Sequence, residues 1–261
     1  MTTDDKERPD PLFNQSLEKG LEVLRAFGAV HRTLTLAELA ALTGMTKSSA
    51  QRTIHTLERL GYVDKHPQTR RFRLTPRVME IGYNYLAADA LIPIASPYLS
   101  QLANASGETA NLTEPVGLEM VYMAQLVTAK HMPVLTPVGM RIPMYCTSSG
   151  RAYLSTLPDE RVRAMLEASA RTPRTPVTLT DVETIFERVV ACRTVGYACN
   201  EEELFLGDMG IAAPVVNSRG EAVGAVHVSP PASRWTMVDA QKKLGPLVVE
   251  CAWAISRSIA H

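Results

Sequence analysis

The 261-residue sequence has no surplus of either charge, with 27 Lys plus Arg against 27 Asp plus Glu, and no biased or repetitive stretch. With 46% hydrophobic and 21% charged residues it excludes disorder and collagen-like repetition, and it is long enough for two folded units. No run nears the roughly 18 consecutive apolar residues of a membrane span. The first residues, MTTDDKERPDPLFNQ, are charged and broken by proline, unlike the basic and apolar pattern of a secretion signal, so the expected location is the cytoplasm. Only four cysteines occur, Cys146, Cys192, Cys199 and Cys251, too scattered for a disulfide scaffold and with no C-x-x-C pair for zinc or redox exchange. The six histidines include no H-E-x-x-H, and G-x-S-x-G, a P-loop and G-x-G-x-x-G are all missing. No metal or cofactor is expected. Catalytic groupings that assemble in space stay open.

The overall charge balance conceals a division. Residues 12–88 hold 11 basic and 6 acidic side chains, whereas residues 89–261 hold 14 basic and 17 acidic. A small domain with a positive excess suits a polyanionic partner, and the placement of the charges decides whether it has one. Residues 16–28 put Leu17, Leu21, Leu24 and Gly28 on one stripe, widened by Val23 and Phe27, which predicts an amphipathic helix. Thr35-Leu-Ala-Glu38 has the spacing of a capping box, opening a short helix through Leu42. Thr43-Gly44-Met45 then breaks the chain before Thr46, an N-cap for a third helix from Lys47 to Leu60 that ends at Gly61. Helical spacing buries Ala50, Ile54 and Leu57 of that helix and projects Lys47, Ser48, Gln51, Arg52 and His55 from the other face. Such a mixture of charge and hydrogen-bonding groups suits phosphates and base edges in a major groove, and it also suits a plain solvated face.

The following residues favour the first reading. Tyr62 to Lys65, a turn through His66-Pro67-Gln68-Thr69, and Arg70-Arg71-Phe72-Arg73-Leu74 predict a hairpin with a basic returning strand. Alternation turns Phe72 and Leu74 inward and Arg71 and Arg73 outward, with Arg70 at the tip, where guanidinium groups meet phosphates or a minor groove. Helix-turn-helix followed by a wing predicts double-stranded DNA as partner, the alternative being a winged helix that contacts protein. One module covers few base pairs, so a homodimer is expected. The stretch from Arg77 to Leu91, with Val78, Ile81, Tyr85 and Leu86, is apolar beyond the needs of a small domain and predicts a linker helix packed on a partner subunit, or an internal strut.

Beyond it, a helix from Pro93 to about Ser106 precedes strands Glu108 to Thr113, Glu119 to Val127 and Val134 to Thr136. Helices follow near Ser148 to Leu157, Glu160 to Ala168 and Asp181 to Val195, then strands Gly210 to Val216 and Ala222 to Ser229, then a helix from Thr236 to about Ile259. The pattern is α+β around an antiparallel sheet. The expected division is a tail (1–14), a winged helix-turn-helix (15–76), the linker helix (77–91) and a C-terminal domain (92–261).

Two places in this domain suit a small molecule. Ile142-Pro143-Met144-Tyr145-Cys146-Thr147-Ser148-Ser149-Gly150-Arg151 runs from apolar to hydroxyl residues at a predicted helix start, where free N–H groups and the dipole favour a carboxylate. An N-cap by Thr147 or Ser148 accounts for the same residues. On the last strand His227 and Ser229 share one face, either as ligand contacts or as structural residues. Asn200-Glu201-Glu202-Glu203 reads as a solvated acidic loop.

The stretches SLEKGLEVLRAF, LTLAELAALTGMTKSSAQRTIHTLERLGYV with RRFRLTP, GMRIPMYCTSSGRAYLSTLP, and GYACNEEELFLGDMGIAAPVVNSRGEAVGAVHVSPPASR together resemble the IclR family of bacterial transcriptional regulators, over nearly all of residues 16–259. The resemblance implies a winged helix-turn-helix, a linker helix and a GAF-like effector domain, in dimers that pair into tetramers on DNA. It places effector contacts at Ile142, Ser148, Ser149, Asn200, Asp208, Gly210, His227 and Ser229. The sequence departs from relatives at Ser148-Ser149, where a Gly-Ala pair occurs, at Gly210, where one has cysteine, and at His227, where it has serine. IPMYCTSSGRA is similar to the branch governing catabolism of aromatic acids such as protocatechuate and 4-hydroxybenzoate. That agrees with a pocket in which Met123, Ile142 and Met144 take a ring and the helix start takes a carboxylate, whereas glyoxylate or pyruvate needs a tighter, more polar site. The expectation is a non-enzymatic DNA-binding regulator switched by a small carboxylate effector. The rival is an enzyme with a reactive Cys146 near a helix start.

Overall fold

The computed structural model describes residues 10–128 and 136–259. Most of the expected 1–14 tail and the expected strand from Val134 to Thr136, apart from Thr136 itself, lie outside the described residues. The chain divides into two compact units, residues 1–87 and 88–261.

In the first unit, α1 (Gln15–Arg25) starts where the Asn14 side chain accepts the Ser16 and Leu17 N–H groups. Thr35 and Glu38 form the full capping box of α2 (Leu36–Thr43), and Gly44 ends it at φ 64°. A residue with a Cβ would be strained in that left-handed conformation. Thr46 caps α3 (Lys47–Arg59), whose Ala50, Ile54 and Leu57 are buried. The wing is the antiparallel pair β1 (Val63–Lys65) and β2 (Phe72–Leu74), in the register Val63 to Leu74. Leu34 bridges to Phe72 and ties the wing to the chain before α2. The core joins Val23, Phe27, Leu34, Leu39, Ile54, Leu57, Val63 and Phe72.

The orientation of α1 differs from the periodicity reading. Val23 is buried, while Leu17 and Leu21 are 63% and 43% exposed. Its apolar arc is wider than a three-helix core can cover, and the core takes the Val23 side. Residues 77–91 are not one helix either. A 3-10 turn (Pro76–Val78) leads into α4 (Met79–Ala88), and Asp89 then accepts the Leu91 and Ile92 N–H groups to open α5 (Leu91–Ser106). Pro93 therefore sits inside the first turn of α5, where no N–H is required, instead of starting it.

The second unit is built on a six-stranded antiparallel sheet, β3 (Thr109–Val116), β4 (Glu119–Leu126), β5 (Arg141–Pro143), β6 (Ala198–Glu201), β7 (Met209–Val216) and β8 (Ala222–Ser229), in the order β5-β4-β3-β8-β7-β6. The short edge strands β5 and β6 were not expected. Helices α5 and α9 (Met237–Ile259) pack together and on β3, β7 and β8. Helices α6 (Ser148–Leu154), α7 (Asp159–Ala168) and α8 (Val182–Val195) form a separate core with Met120, Tyr122, Ala212 and Ala225. The unit is α+β, and no described helix is long and apolar enough to cross a membrane.

Packing of the first unit sets a contrast. Leu39→Ala, at a fully buried site, should cost about 2–5 kcal/mol, whereas Val30→Ala, at an exposed site, should stay within about 0.5 kcal/mol. Urea unfolding of each variant, followed by circular dichroism, measures both.

Candidate functional site

On α3 the helix period that buries Ala50, Ile54 and Leu57 leaves Lys47, Ser48, Gln51, Arg52 and His55 all exposed on one face. Lys47 and Arg52 make no ion pair among the described residues, so both charges stay available for an anionic partner.

The wing cations stand differently from the sequence reading. Arg71 points out of the sheet, but its Nε and Nη2 donate to Thr33 and its Nη2 also pairs with Glu38 at 2.8 Å. Arg73 pairs with Asp64, its cross-strand neighbour, at 2.9 Å. Both are struts of the module and not free clamps, because each has a carboxylate that folding brings within reach. Hydrogen bonds from Thr35 and the Arg71 charge hold the Glu38 carboxyl below its ordinary range. Arg70 occupies the turn at φ 59°, exposed and without an ion pair among the described residues. The turn is organised by His66, whose Nδ1 accepts the Gln68 and Thr69 N–H groups.

In the second unit the sequence reading of residues 142–151 becomes a defined helix start. Thr147 is the N-cap of α6, accepting the Gly150 N–H and donating to Pro143 O. The Ser148 N–H donates to Asn200 Oδ1 of β6 at 2.9 Å. Gly210 of β7 lies under this contact, since a Cβ there would fall 2.3 Å from Ser148 Oγ and 2.4 Å from Asn200 Oδ1. Gly150 packs equally closely on the Met144 backbone. Ser148, Ser149, Asn200 and Gly210 are thus brought together, with Ile142 and Met144 buried in the adjoining core. Met123 is buried at the bulge in β4.

The face of the sheet under α6 carries more polar groups than expected. His227 lies between Asn111 of β3 and Ala212 of β7, with its ring edge-on to Tyr122 at 5.4 Å. Asn111 Nδ2 donates to Ser229 Oγ, and Gln125 Nε2 donates to Asn111 Oδ1 and to Thr136 Oγ1. Asn111, Tyr122, Gln125 and Thr136 were missed from the sequence. The signal in the sequence was one amide in each of two neighbouring strands, Asn111 in β3 and Gln125 in β4, which the register sets opposite each other. Ser149 Oγ and His227 Nδ1 are buried with no hydrogen-bond partner among the described residues. Burial lowers His227 to about 4, so its ring is neutral near pH 7. Desolvation raises the Asp208 carboxyl to about 7, and its charge is felt by the Tyr122 hydroxyl.

The solvated reading of residues 200–203 is overturned at Glu203. Its carboxylate meets Arg151 Nη1 and Nη2 at 2.6 Å each, with side-chain exposures of 1% for Arg151 and 7% for Glu203. Arg151 also donates to Tyr145 O and Cys199 O, and Glu203 accepts the Leu179 N–H. A buried carboxylate with a matching guanidinium keeps its charge out of water. Nor does the helix start lower the Cys146 thiol. The side chain is fully buried, and desolvation pushes it up to about 11.

Residues 16–67 match the IclR helix-turn-helix domain, and residues 83–257 match the family described as Bacterial transcriptional regulator IclR C-terminal. The chain is 32% identical to the Pca regulon regulatory protein of Pseudomonas putida over 253 residues, 97% of this chain and 85% of the relative. It is 32% identical to the p-hydroxybenzoate hydroxylase transcriptional activator of Acinetobacter baylyi over 216 residues, 81% of this chain and 79% of the relative. A solved transcriptional regulator from Rhodococcus sp. RHA1 superposes with a TM-score of 0.78 at 34% identity, covering 95% of this chain and 98% of that one.

Removing one member of the Arg151 and Glu203 pair strands the other charge. Arg151→Met should cost about 3–5 kcal/mol, and adding Glu203→Gln to it should recover a large part of the loss. Denaturant midpoints of the single and double variants give both values.

Proposed function

This chain belongs to the IclR family of bacterial transcriptional regulators, and on that premise we propose that it is a one-component regulator whose hold on its operator is set by a small aromatic carboxylate. Lys47, Ser48, Gln51, Arg52 and His55 meet the bases and phosphates of the major groove. Arg70 supplies the wing cation that has no ion pair among the described residues, while Arg71, held by Thr33 and Glu38, and Arg73, held by Asp64, brace the wing within its own module. The ligand carboxylate sits at Ser148 and Ser149, with Met123, Ile142 and Met144 as the apolar wall and Asn200, Asp208, Gly210, His227 and Ser229 as the polar one.

The observation that carries this reading is that Ser149 Oγ and His227 Nδ1 are buried with no hydrogen-bond partner among the described residues. Each orphan costs about 1–3 kcal/mol, and a guest that satisfies both regains it. Aromatic acids are favoured because a ring suits the methionine-lined wall, and because two relatives are named for the pca regulon and for p-hydroxybenzoate hydroxylase. 4-Hydroxybenzoate and protocatechuate are the first ligands to try. An enzymatic role for Cys146 is disfavoured by a thiol that is buried and protonated at neutral pH.

The regulator works in the cytoplasm as a homodimer that pairs into a tetramer on DNA. Exposed Leu17 and Leu21 on α1, and Met79, Ile81, Tyr83 and Tyr85 on α4, offer the apolar surface for self-association. Coupling then follows if the ligand binds one subunit arrangement better than another.

A thermal-shift screen of aromatic and aliphatic carboxylates tests the effector reading. 4-Hydroxybenzoate or protocatechuate should raise the melting temperature of the wild type and leave Ser149→Val unmoved. Asp208 adds a pH dependence. An anion beside a carboxyl with a pKa of about 7 binds best while that carboxyl is protonated, so affinity should fall as pH rises from 6 to 8. Silence from every acid across that range would reject the reading.

The DNA face makes a separate prediction. Arg52→Ala should cost about 1–3 kcal/mol of operator affinity and relax sequence preference, whereas Arg70→Ala should weaken all sequences alike and reduce the salt slope by about 1. Anisotropy titrations against operator and random duplexes distinguish the two patterns.

A further inference from the structure

The tip of the wing is held by one residue. Residues 66–70 are all exposed, so no core contact fixes their path. Their backbone N–H groups nevertheless have partners. Those of Gln68 and Thr69 donate to His66 Nδ1 at 3.3 Å each, and that of Arg70 donates to His66 O at 2.9 Å. The His66 N–H closes the turn on Arg71 O, also at 2.9 Å. Pro67 brings no N–H and a fixed φ. The turn converges on His66, and because Nδ1 accepts, the imidazole is the neutral tautomer with its proton on Nε2.

This convergence matters for what the turn carries. Arg70 lies in the left-handed region at φ 59°, which a residue with a Cβ adopts where its surroundings impose it. That conformation sets the direction in which its guanidinium leaves the wing. Arg70 makes no ion pair among the described residues, whereas Arg71 and Arg73 are held by Glu38 and Asp64. A cap of the same pattern recurs at Asn14, whose Oδ1 accepts the N–H groups two and three residues on, at 3.0 and 3.1 Å. At position 66 an imidazole nitrogen takes the part that an asparagine or aspartate oxygen plays in such turns.

We propose that His66 is a positioning residue for DNA binding, whose cap orders the wing tip in advance and fixes the direction in which Arg70 meets a phosphate. Without the cap the tip has to be ordered at the moment of binding, and affinity falls by that cost. His66 acts through Arg70 and not by touching the duplex. The inference rests on the reading of Arg70 as the wing contact to DNA.

Two replacements separate the roles of the two ring nitrogens. Asparagine Oδ1 stands as many bonds from Cα as His66 Nδ1, so His66→Asn keeps the cap and loses the reach of Nε2. His66→Gln keeps that reach and loses the cap. Anisotropy titrations of the full chain with a random-sequence duplex at low salt compare both with wild type, His66→Ala, Arg70→Ala and the double alanine variant, and thermal melts establish that each is folded. His66→Ala and His66→Gln should weaken binding about 2- to 10-fold. His66→Asn should bind close to wild type, and in the Arg70→Ala background His66→Ala should cost nothing further. Wild-type binding by His66→Ala, rescue by glutamine instead of asparagine, or an undiminished loss in the Arg70→Ala background would overturn the proposal and leave the wing reading standing. Wild-type binding by Arg70→Ala would overturn both. If His66→Ala does not fold, His66→Gln takes its place alone and in the Arg70→Ala background.

Discussion

Arg151 and Glu203 bring opposite charges into the interior of the second unit, and their hydrogen bonds tie the start of α6 to β6 and to the chain at Tyr145 and Leu179. Taking the two ions out of water costs several kcal/mol each, roughly. Two short bonds between them, the carbonyls of Tyr145 and Cys199 and the Leu179 N–H offset that cost by satisfying the remaining donors and acceptors. A pair of this kind adds little stability over an apolar filling, but it permits very few geometries. Its consequence is positional. With Arg151 fixed one turn into α6, Ser148 meets Asn200, Gly210 has no room for a side chain, and Ser149 remains inside with its hydroxyl unspent.

Much of this was legible in the sequence wherever a signal is local. The Thr35 and Glu38 capping box, the stop at Gly44 and the inward residues of α3 are set by neighbours within one or two turns, and they stand as read. Strands β7 and β8 were visible because their apolar runs flank a turn at Asn217 to Gly220. Features fixed by distant partners were not visible. Periodicity gives the width of the apolar arc on α1 but not which half the core covers. Arg71 finds Glu38 across 33 positions, and Arg151 finds Glu203 across 52. Strands β5 and β6 are three and four residues long and exist through pairing with β4 and β7. The candidate ligand contacts came largely from the family resemblance, whereas Asn111 and Gln125 showed their meaning only once the sheet register placed Asn111 between Gln125 and His227.

A basic face in one unit, where Lys47 and Arg52 make no ion pair among the described residues, and buried polar atoms without a partner among those residues in the other suit the proposed protein, whose two tasks exchange free energy. A ligand can alter operator affinity only by its own unequal affinity for two arrangements of the protein, and such couplings amount to about 1–3 kcal/mol, roughly 5- to 150-fold. The apolar residues left exposed on α1 and α4 suit a device of this sort, since a subunit interface has discrete packings and does not deform continuously.

The most direct measurement is an anisotropy titration of the full-length protein against duplex from its own upstream region, at about 50 and 200 mM salt, with and without saturating 4-hydroxybenzoate. Binding should weaken steeply with salt, and the ligand should shift the operator Kd by at least about fivefold while leaving random duplex unaffected. Absence of salt-dependent binding, or an operator Kd unmoved by a ligand shown to be bound, would contradict a reader governed by an internal guest.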